Sequence, residues 1–321
     1  MKFECYGSNG DLTTYYCYDL LERVAKKAAT PTEEPTEGEA QGEEKAAEPA
    51  APVEGVEVEF KTFLEIEYVK KLRGLQTDKG GAFLHHKVNH IVVLDGEYFG
   101  GIDEVKALAA DKYDIKDTDE YNTVYYGRLQ REEFASSVKG LGTLTYMEFE
   151  DGSRMRDAST PEYGKIIIEL FEKTVPLACQ NFRLLCTGEL GATELAKLHF
   201  QGCPVHRVVQ GGWFQAGDIV SGNGTGSYAA IGDGRVQDES FVTDFGNPLG
   251  GMVGYSTSSA HSNGSQFFVT LGPCEWMNGS YVGVGRVVQG FDVLEKINNC
   301  EVSNQKPAPP ILCAKSGIQN V

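Results

Sequence analysis

The chain has no apolar run approaching the roughly 20 residues that a membrane-spanning helix needs, no cluster of basic side chains and no CxxC pair. Without a basic patch, and with a net charge of −17, it has no electrostatic route to a phosphate backbone and is repelled by anionic headgroups. Nucleic acid and membrane surfaces are therefore excluded as expected partners. Met1 to Leu12 holds no apolar core of the kind a secretory signal carries, which sets the expectation of a cytoplasmic protein. The eight cysteines (Cys5, Cys17, Cys179, Cys186, Cys203, Cys274, Cys300 and Cys313) are scattered, a pattern that fits buried reduced thiols rather than a disulfide or zinc framework. Neither a metal nor a cofactor is expected.

What is present suggests two domains. A chain of 321 residues exceeds what one small core usually organises, and 41% hydrophobic residues are enough to build packed interiors without staples. Residues 30–55, TPTEEPTEGEAQGEEKAAEPAAPVEG, carry eight glutamates against one lysine and no large hydrophobe before Val53. Such a segment cannot offset its ordering entropy by burial, so a disordered acidic loop is expected. Before it, KFECYG reads as a strand and Tyr16 to Lys27 as a helix, with Tyr18, Leu20, Leu21 and Val24 at helical spacing. After it, HIVVLDGEYFGG reads as a hairpin turning at Asp95-Gly96, and Asp103 is the expected N-cap of the helix EVKALAA.

The segment VLDGEYFGGIDEVKAL is similar to the end of a glutaredoxin, where paired glycines, here Gly100 and Gly101, open the last helix and help hold glutathione. The resemblance implies an α/β thioredoxin-like N-terminal domain over residues 1–120. Redox chemistry is not expected from it, because GSNGDLTTYYC leaves only Cys17 where a thiol pair is needed. Val88 and Asn89 stand where that family places its cis-proline. A structural or partner-binding role follows.

Residues 121–142 are expected to form a helical connector. From Thr143, LTYMEFEDG and KIIIELF alternate with the strand period and make a hairpin across a long polar loop. KTVPLACQNFRLLCTG is a helix with Thr174 as expected N-cap, Pro176 in its first turn, Leu177, Phe182 and Leu185 on one face, and Gly188 as its stop. FDVLEKINNC is a second helix. The strands PVHRVV, MVGYST, SQFFVTLG, YVGVGRVV and ILCAKSG lie between glycine-rich turns, so a closed antiparallel β-barrel capped by two helices is expected over residues 143–321.

Three blocks in this half, VPLACQNFRLLCTGE, VHRVVQGGWFQAGDIVSGNGTG and SNGSQFFVTLGPCEWMNGSYVGVGRVVQG, resemble the cyclophilins, a family of peptidyl-prolyl cis-trans isomerases. The implied reaction is rotation about an X-Pro amide, slow because the partial double bond of the amide must be lost on the way. No covalent chemistry is needed. A protein assists by holding the proline ring in an apolar pocket and offering donors that favour the twisted amide. By resemblance Arg207 is the catalytic donor and Gln215 orients it and meets the substrate backbone. Phe268 is the pocket floor, where Phe267 is core. Trp276 and Met277 form the far rim, which in this family also meets cyclosporin-class macrocycles.

Several positions depart from the family pattern. Gly212 stands where a large apolar residue usually lines the pocket, and Trp213 follows it as the candidate replacement wall. The usual Pro-Gly reads Gln210-Gly211, the substrate-backbone segment Ala-Asn-Ala reads Ser256-Thr257-Ser258, and Tyr281 replaces a rim histidine. Trp213, Thr257 and Tyr281 thus join the expected substrate-binding set. The divergent VQGGW strand together with the thioredoxin-like front looks most like the peptidyl-prolyl isomerase-like 6 subgroup, which implies a cilium or flagellum setting with axonemal radial-spoke proteins as partners. Two readings compete: a weakened isomerase acting on proline-containing protein segments, and a non-catalytic assembly module with a degenerate pocket. A third is thiol redox control through Cys186 and Cys203, which flank the loop TGELGATELAKLHFQG.

Overall fold

A computed structural model describes residues 1–29, 55–115, 123–154, 163–257 and 259–320. The expected acidic loop up to Glu54, the first residues of the expected connector, the polar stretch at 155–162 and Ser258 lie outside the described residues. Two compact units divide the chain, Met1–Ser137 and Val138–Val321.

In the first unit, β1 (Lys2–Ser8), β2 (Glu57–Phe63), β3 (His90–Leu94) and β4 (Glu97–Gly100) form a mixed sheet in the order β2-β1-β3-β4, with β1 and β2 parallel and the other pairs antiparallel. Strand alternation sends side chains to both faces. Phe3, Cys5 and Val92 pack with Leu20, Leu21 and Val24 of α1 (Leu12–Ala29) and Val105 and Ala109 of α3 (Ile102–Tyr113). Tyr6, Ile91 and Val93 face the other way and pack with Tyr68 and Leu72 of α2 (Glu65–Lys79). Helices therefore cover both faces.

Local details explain where the helices begin. Helix α1 starts four residues before the expected Tyr16, because the Asp11 carboxylate accepts the Thr13 N–H at 3.0 Å and so caps the additional turn. Asp103 is not the cap of α3 (Ile102–Tyr113). Gly101 holds that position, its N–H donating to Glu104 Oε2 at 2.7 Å, while the Ile102 N–H donates to His90 Nε2 at 3.0 Å. The Asp95-Gly96 turn has positive φ at both residues, 50° and 87°, as a tight two-residue hairpin requires. Helix α4 (Thr123–Ser137) belongs to this unit. Its Gln130 Nε2 donates to the Gly10 carbonyl at 2.6 Å, its Tyr126 hydroxyl donates to Asp19 at 3.2 Å, and the helix thereby lies across the start of α1.

The second unit is an eight-stranded antiparallel sheet. Its strands are β5 (Leu144–Asp151), β6 (Gly164–Leu170), β7 (Arg207–Val209), β8 (Trp213–Ala216), β9 (Met252–Tyr255), β10 (Phe267–Thr270), β11 (Gly283–Gln289) and, at the C-terminal end, β14 (Ile311–Ile318), in the order β14-β5-β6-β11-β9-β10-β8-β7. The sheet is curled. The Val205 N–H donates to the Ile311 carbonyl at 2.9 Å, and the Cys313 N–H to the Cys203 carbonyl at 3.0 Å, so the segment leading into β7 joins β14. One core runs through the interior, made by Phe149, Phe214, Phe267 and Val284 from the strands, Phe182 and Leu185 from α5 (Pro176–Thr187), and Val293 and Ile297 from α6 (Phe291–Asn298). A two-stranded hairpin, β12 (Val302–Ser303) with β13 (Lys306–Pro307), precedes β14.

Helix α5 ends at Gly188, left-handed at φ 67°, as its sequence implies. Its start differs from the expectation. Val175 rather than Thr174 is the N-cap, and the first-turn N–H groups of Leu177 and Ala178 donate to the two oxygens of Glu239, at 3.0 and 2.7 Å. A residue more than sixty positions away caps the helix, which no local pattern announces. Leu177 is half exposed and does not share the buried face of Phe182 and Leu185.

Candidate functional site

Strand register assembles the site. Arg207 on β7 lies directly opposite Gln215 on β8, Gln215 opposite Phe268 on β10, and Phe268 opposite Gly254 on β9. The next row on the same face, two residues along, holds Val209, Trp213 and Thr270. Because side chains alternate across a strand, Val208, Phe214, Phe267 and Val269 point inward to the core. Phe267 lies in the interior core and Phe268 on the opposite face, the placement that the family resemblance implies.

The polar end of the row is closely knit. Arg207 Nη1 donates to Gln215 Oε1 at 3.3 Å, and the same oxygen accepts the Trp213 Nε1–H at 3.2 Å. Gln215 Nε2 donates to Ser256 Oγ at 2.8 Å. Both ends of the amide are thus engaged, which fixes its orientation. The guanidinium carbon of Arg207 stands 5.4 Å from the Trp213 ring centroid, within cation–π range. Arg207 Nε donates to Gln305 Oε1 at 2.7 Å. Gln305 is a site residue that the sequence pattern does not flag. Burial holds the neighbouring His206 below the usual imidazole value, which favours its neutral form.

The apolar end is a chain of rings. Phe268 packs against Phe245 (5.4 Å between centroids) and edge-on to Tyr281 (5.3 Å), Tyr281 lies edge-on to Trp276 (6.3 Å), and Trp276 lies edge-on to Trp213 (5.4 Å). Such edge-to-face contacts are the favoured geometry of ring quadrupoles. Met252, Cys274 and Met277 complete the cluster. Within it Met277 is an inner residue, 2% exposed, whereas Trp276 is 60% exposed. Phe268 itself is only 2% exposed. A ring seated on it must displace neighbours that already cover it. Gly254 leaves room for this phenylalanine, since a Cβ there would stand 2.6 Å from Phe268 Cζ.

Of the residues expected from sequence, Arg207, Gln215, Trp213, Phe268, Trp276, Met277 and Tyr281 come together through this polar end and ring chain. Thr257 sits two positions past β9 in a separate network, its Oγ1 2.6 Å from both the Ser259 carbonyl oxygen and Ser262 Oγ. Gly212 is tightly placed. Its carbonyl accepts the Leu271 N–H at 2.7 Å, and a Cβ there would come within 3.3 Å of Val209. The wall that a larger residue supplies is therefore absent, and the indole of Trp213 packs against the cluster instead.

The loop after β8 is anchored by Asp218, whose carboxylate accepts N–H bonds from Val220, Ser221, Asn223, Gly224 and Gly226 at 2.7 to 3.1 Å. Burial alone raises its pKa, but these backbone donors outweigh burial and hold the carboxyl below the usual range. Cys186 and Cys203 are both buried, and burial pushes the Cys203 thiol up to about 12. Neither has the exposed, thiolate-favouring surroundings of a redox cysteine. Among the described residues no group of three or more histidine, cysteine or acidic side chains is arranged to hold a metal. No described helix is long and apolar enough to cross a membrane.

Comparison with protein families matches residues 155–317 to the family described as cyclophilin type peptidyl-prolyl cis-trans isomerase/CLD. A curated protein of Bos taurus, described as a probable inactive peptidyl-prolyl cis-trans isomerase-like 6, is 37% identical over 155 residues, which cover 48% of this chain and 50% of that protein. The chain thus spans about half the length of this curated relative.

Proposed function

The chain belongs to the cyclophilin family of peptidyl-prolyl cis-trans isomerases, and from that premise we propose that the Arg207 face binds X-Pro segments of client proteins and turns them over slowly. The observation that carries this reading is the register row: a cation, its orienting amide and an aromatic floor stand side by side on β7, β8 and β10. Arg207 retains free N–H donors for the prolyl nitrogen and the adjacent carbonyl, and each 1.4 kcal/mol by which they favour the twisted amide is worth about tenfold in rate. Trp276, Tyr281 and Trp213 contact the segment as it crosses the face, Met277 backs the pocket, and Thr257 offers backbone contacts beside it. Slow turnover follows from the covered floor, since seating a proline on Phe268 requires ring movement before any rotation is assisted.

That same burial favours a second reading, an assembly module that grips a fixed peptide without isomerising it. The printed description of the bovine relative as probably inactive points the same way. A coupled isomerisation assay on the full chain separates the two. Catalysis above the uncatalysed rate that Arg207→Ala abolishes supports the enzyme, and equal rates for the two proteins leave the assembly module.

The front unit is read as a thioredoxin-like domain that serves structure or partner binding. The β-α start, the hairpin leading to α3 and the helices on both sheet faces support this. A cilium or flagellum setting, with axonemal radial-spoke proteins as partners, rests on the subgroup resemblance of the VQGGW strand joined to such a front. Fractionation of axonemes tests it: retention with the radial spokes supports the assignment, and a signal confined to the detergent-soluble fraction overturns it.

A further inference from the structure

The β12–β13 hairpin turns on two residues, Asn304 and Gln305, whose φ angles are 50° and 64°. Positive φ at both centres defines the tight hairpin turn for which Asn-Gly is the favoured pair. Asparagine at the first position suits it. Glutamine at the second does not, because a Cβ in the left-handed region crowds the following carbonyl oxygen. The chain keeps a strained residue where glycine would be comfortable.

The contacts of Gln305 supply a reason. Its carbonyl accepts the Val208 N–H at 2.6 Å, which pins the turn against β7. Its side-chain Oε1 accepts the Arg207 Nε–H at 2.7 Å. One residue thus holds both the backbone of β7 and the side chain of the adjacent arginine. A glycine would keep the first contact and lose the second. With Gln215 on Nη1 and the Trp213 ring beneath its plane, the guanidinium is held from three sides. Two of its five N–H donors are spent on these glutamines, leaving three to face a ligand.

We infer that Gln305 is a positioning residue that locks the torsions of Arg207 so that its remaining donors meet an X-Pro segment already aimed. The gain is preorganisation: a free arginine loses rotamer entropy on binding, whereas one held at Nε has lost it beforehand. This inference rests on the reading of the Arg207 face as an X-Pro site.

The test uses the full chain with Gln305→Gly, Gln305→Glu and Arg207→Ala. The readouts are the Arg207 Nε–H NMR resonance, affinity for an Ala-Ala-Pro-Phe peptide from shift titration, and urea stability. Glycine suits the turn, so Gln305→Gly is expected to fold with stability equal to or above wild type. It is expected to expose the Arg207 Nε–H to rapid solvent exchange and to weaken peptide binding about tenfold, which corresponds to about 1.4 kcal/mol. Gln305→Glu keeps the acceptor and is expected to keep both the resonance and the affinity. If Gln305→Gly frees the Nε–H but leaves affinity unchanged while Arg207→Ala weakens it, the positioning role is overturned and the X-Pro reading stands. If Arg207→Ala itself leaves affinity unchanged, the X-Pro reading falls and the positioning role falls with it.

Discussion

Glu239→Ala removes the cap of α5 from across the molecule, and its cost can be worked group by group. At the start of this helix the Val175 N–H donates to the Phe171 carbonyl, Pro176 has no N–H, and Leu177 and Ala178 donate to the Glu239 carboxylate. Nothing at the helix start itself replaces that carboxylate, because Val175 offers no side-chain acceptor. Leu177 is half exposed, so water can take its N–H, but Ala178 is fully buried and its N–H is left without an acceptor. Loss of a cap costs about 1 kcal/mol, and loss of the negative charge at a helix N-terminus adds roughly 0.3 to 1 kcal/mol. A total of about 1.3 to 2 kcal/mol is expected for Glu239→Ala and about half of that for Glu239→Gln, which keeps one carbonyl acceptor. Urea unfolding followed by tryptophan fluorescence reads the barrel alone, since both tryptophans, Trp213 and Trp276, lie in it. With a slope of about 2 kcal/mol/M, the midpoint should fall by roughly 0.7 to 1 M in the alanine variant. A midpoint within about 0.2 M of wild type would refute the capping argument.

Three further outcomes are expected. Gly254→Ala forces a Cβ against the buried Phe268 and Phe245 rings, 2.6 and 3.2 Å away, and should cost about 1 to 3 kcal/mol in the same unfolding experiment; an unchanged midpoint would mean the rings yield freely. Asp218→Asn should destabilise the barrel by about 3 kcal/mol at pH 7 through its lost charge-assisted backbone bonds. The folded carboxyl is depressed, so its contribution is complete above the unfolded value near 4 and is lost as pH falls through the lower folded value. The gap between wild type and this variant should therefore close below about pH 4, and a constant gap across pH would contradict the assignment. A thiol reagent at pH 8 should label Cys300 first, because it alone of the eight cysteines is partly exposed, and mild oxidation should leave eight thiols titratable after unfolding. A Cys186–Cys203 disulfide would overturn that expectation.

Motifs whose physics is local were readable from sequence. The Asp95-Gly96 turn and the Gly188 stop follow from backbone preference, which neighbouring residues determine, whereas the inward and outward roles of Phe267 and Phe268 came from the family resemblance of NGSQFF. Strand β2 and helix α2 were not readable in this way. EVEFKTF forms an edge strand with no fully buried residue, so its pattern is weak, and α2 has few buried positions and an internal Gly74. The helix starts failed for a related reason. Asp103 and Thr174 are the nearest polar candidates, but the caps in use come from Glu104, three residues into its own helix, and from Glu239, supplied by the tertiary fold. Gln305 escaped notice because its value lies in a left-handed backbone at a non-glycine, which composition does not reveal.

The placement of Arg207, Gln215, Phe268 and Gly254 on four neighbouring strands has a consequence for which substitutions the face can absorb. The spacing of the row is stored in the hydrogen-bond ladder, not in the side chains that wall it. Substitutions at Gly212, Trp213 or Tyr281 can change what packs around Phe268 while the cation, amide and ring keep their separations. Changes in what surrounds the row therefore leave the register of these four strands as it is.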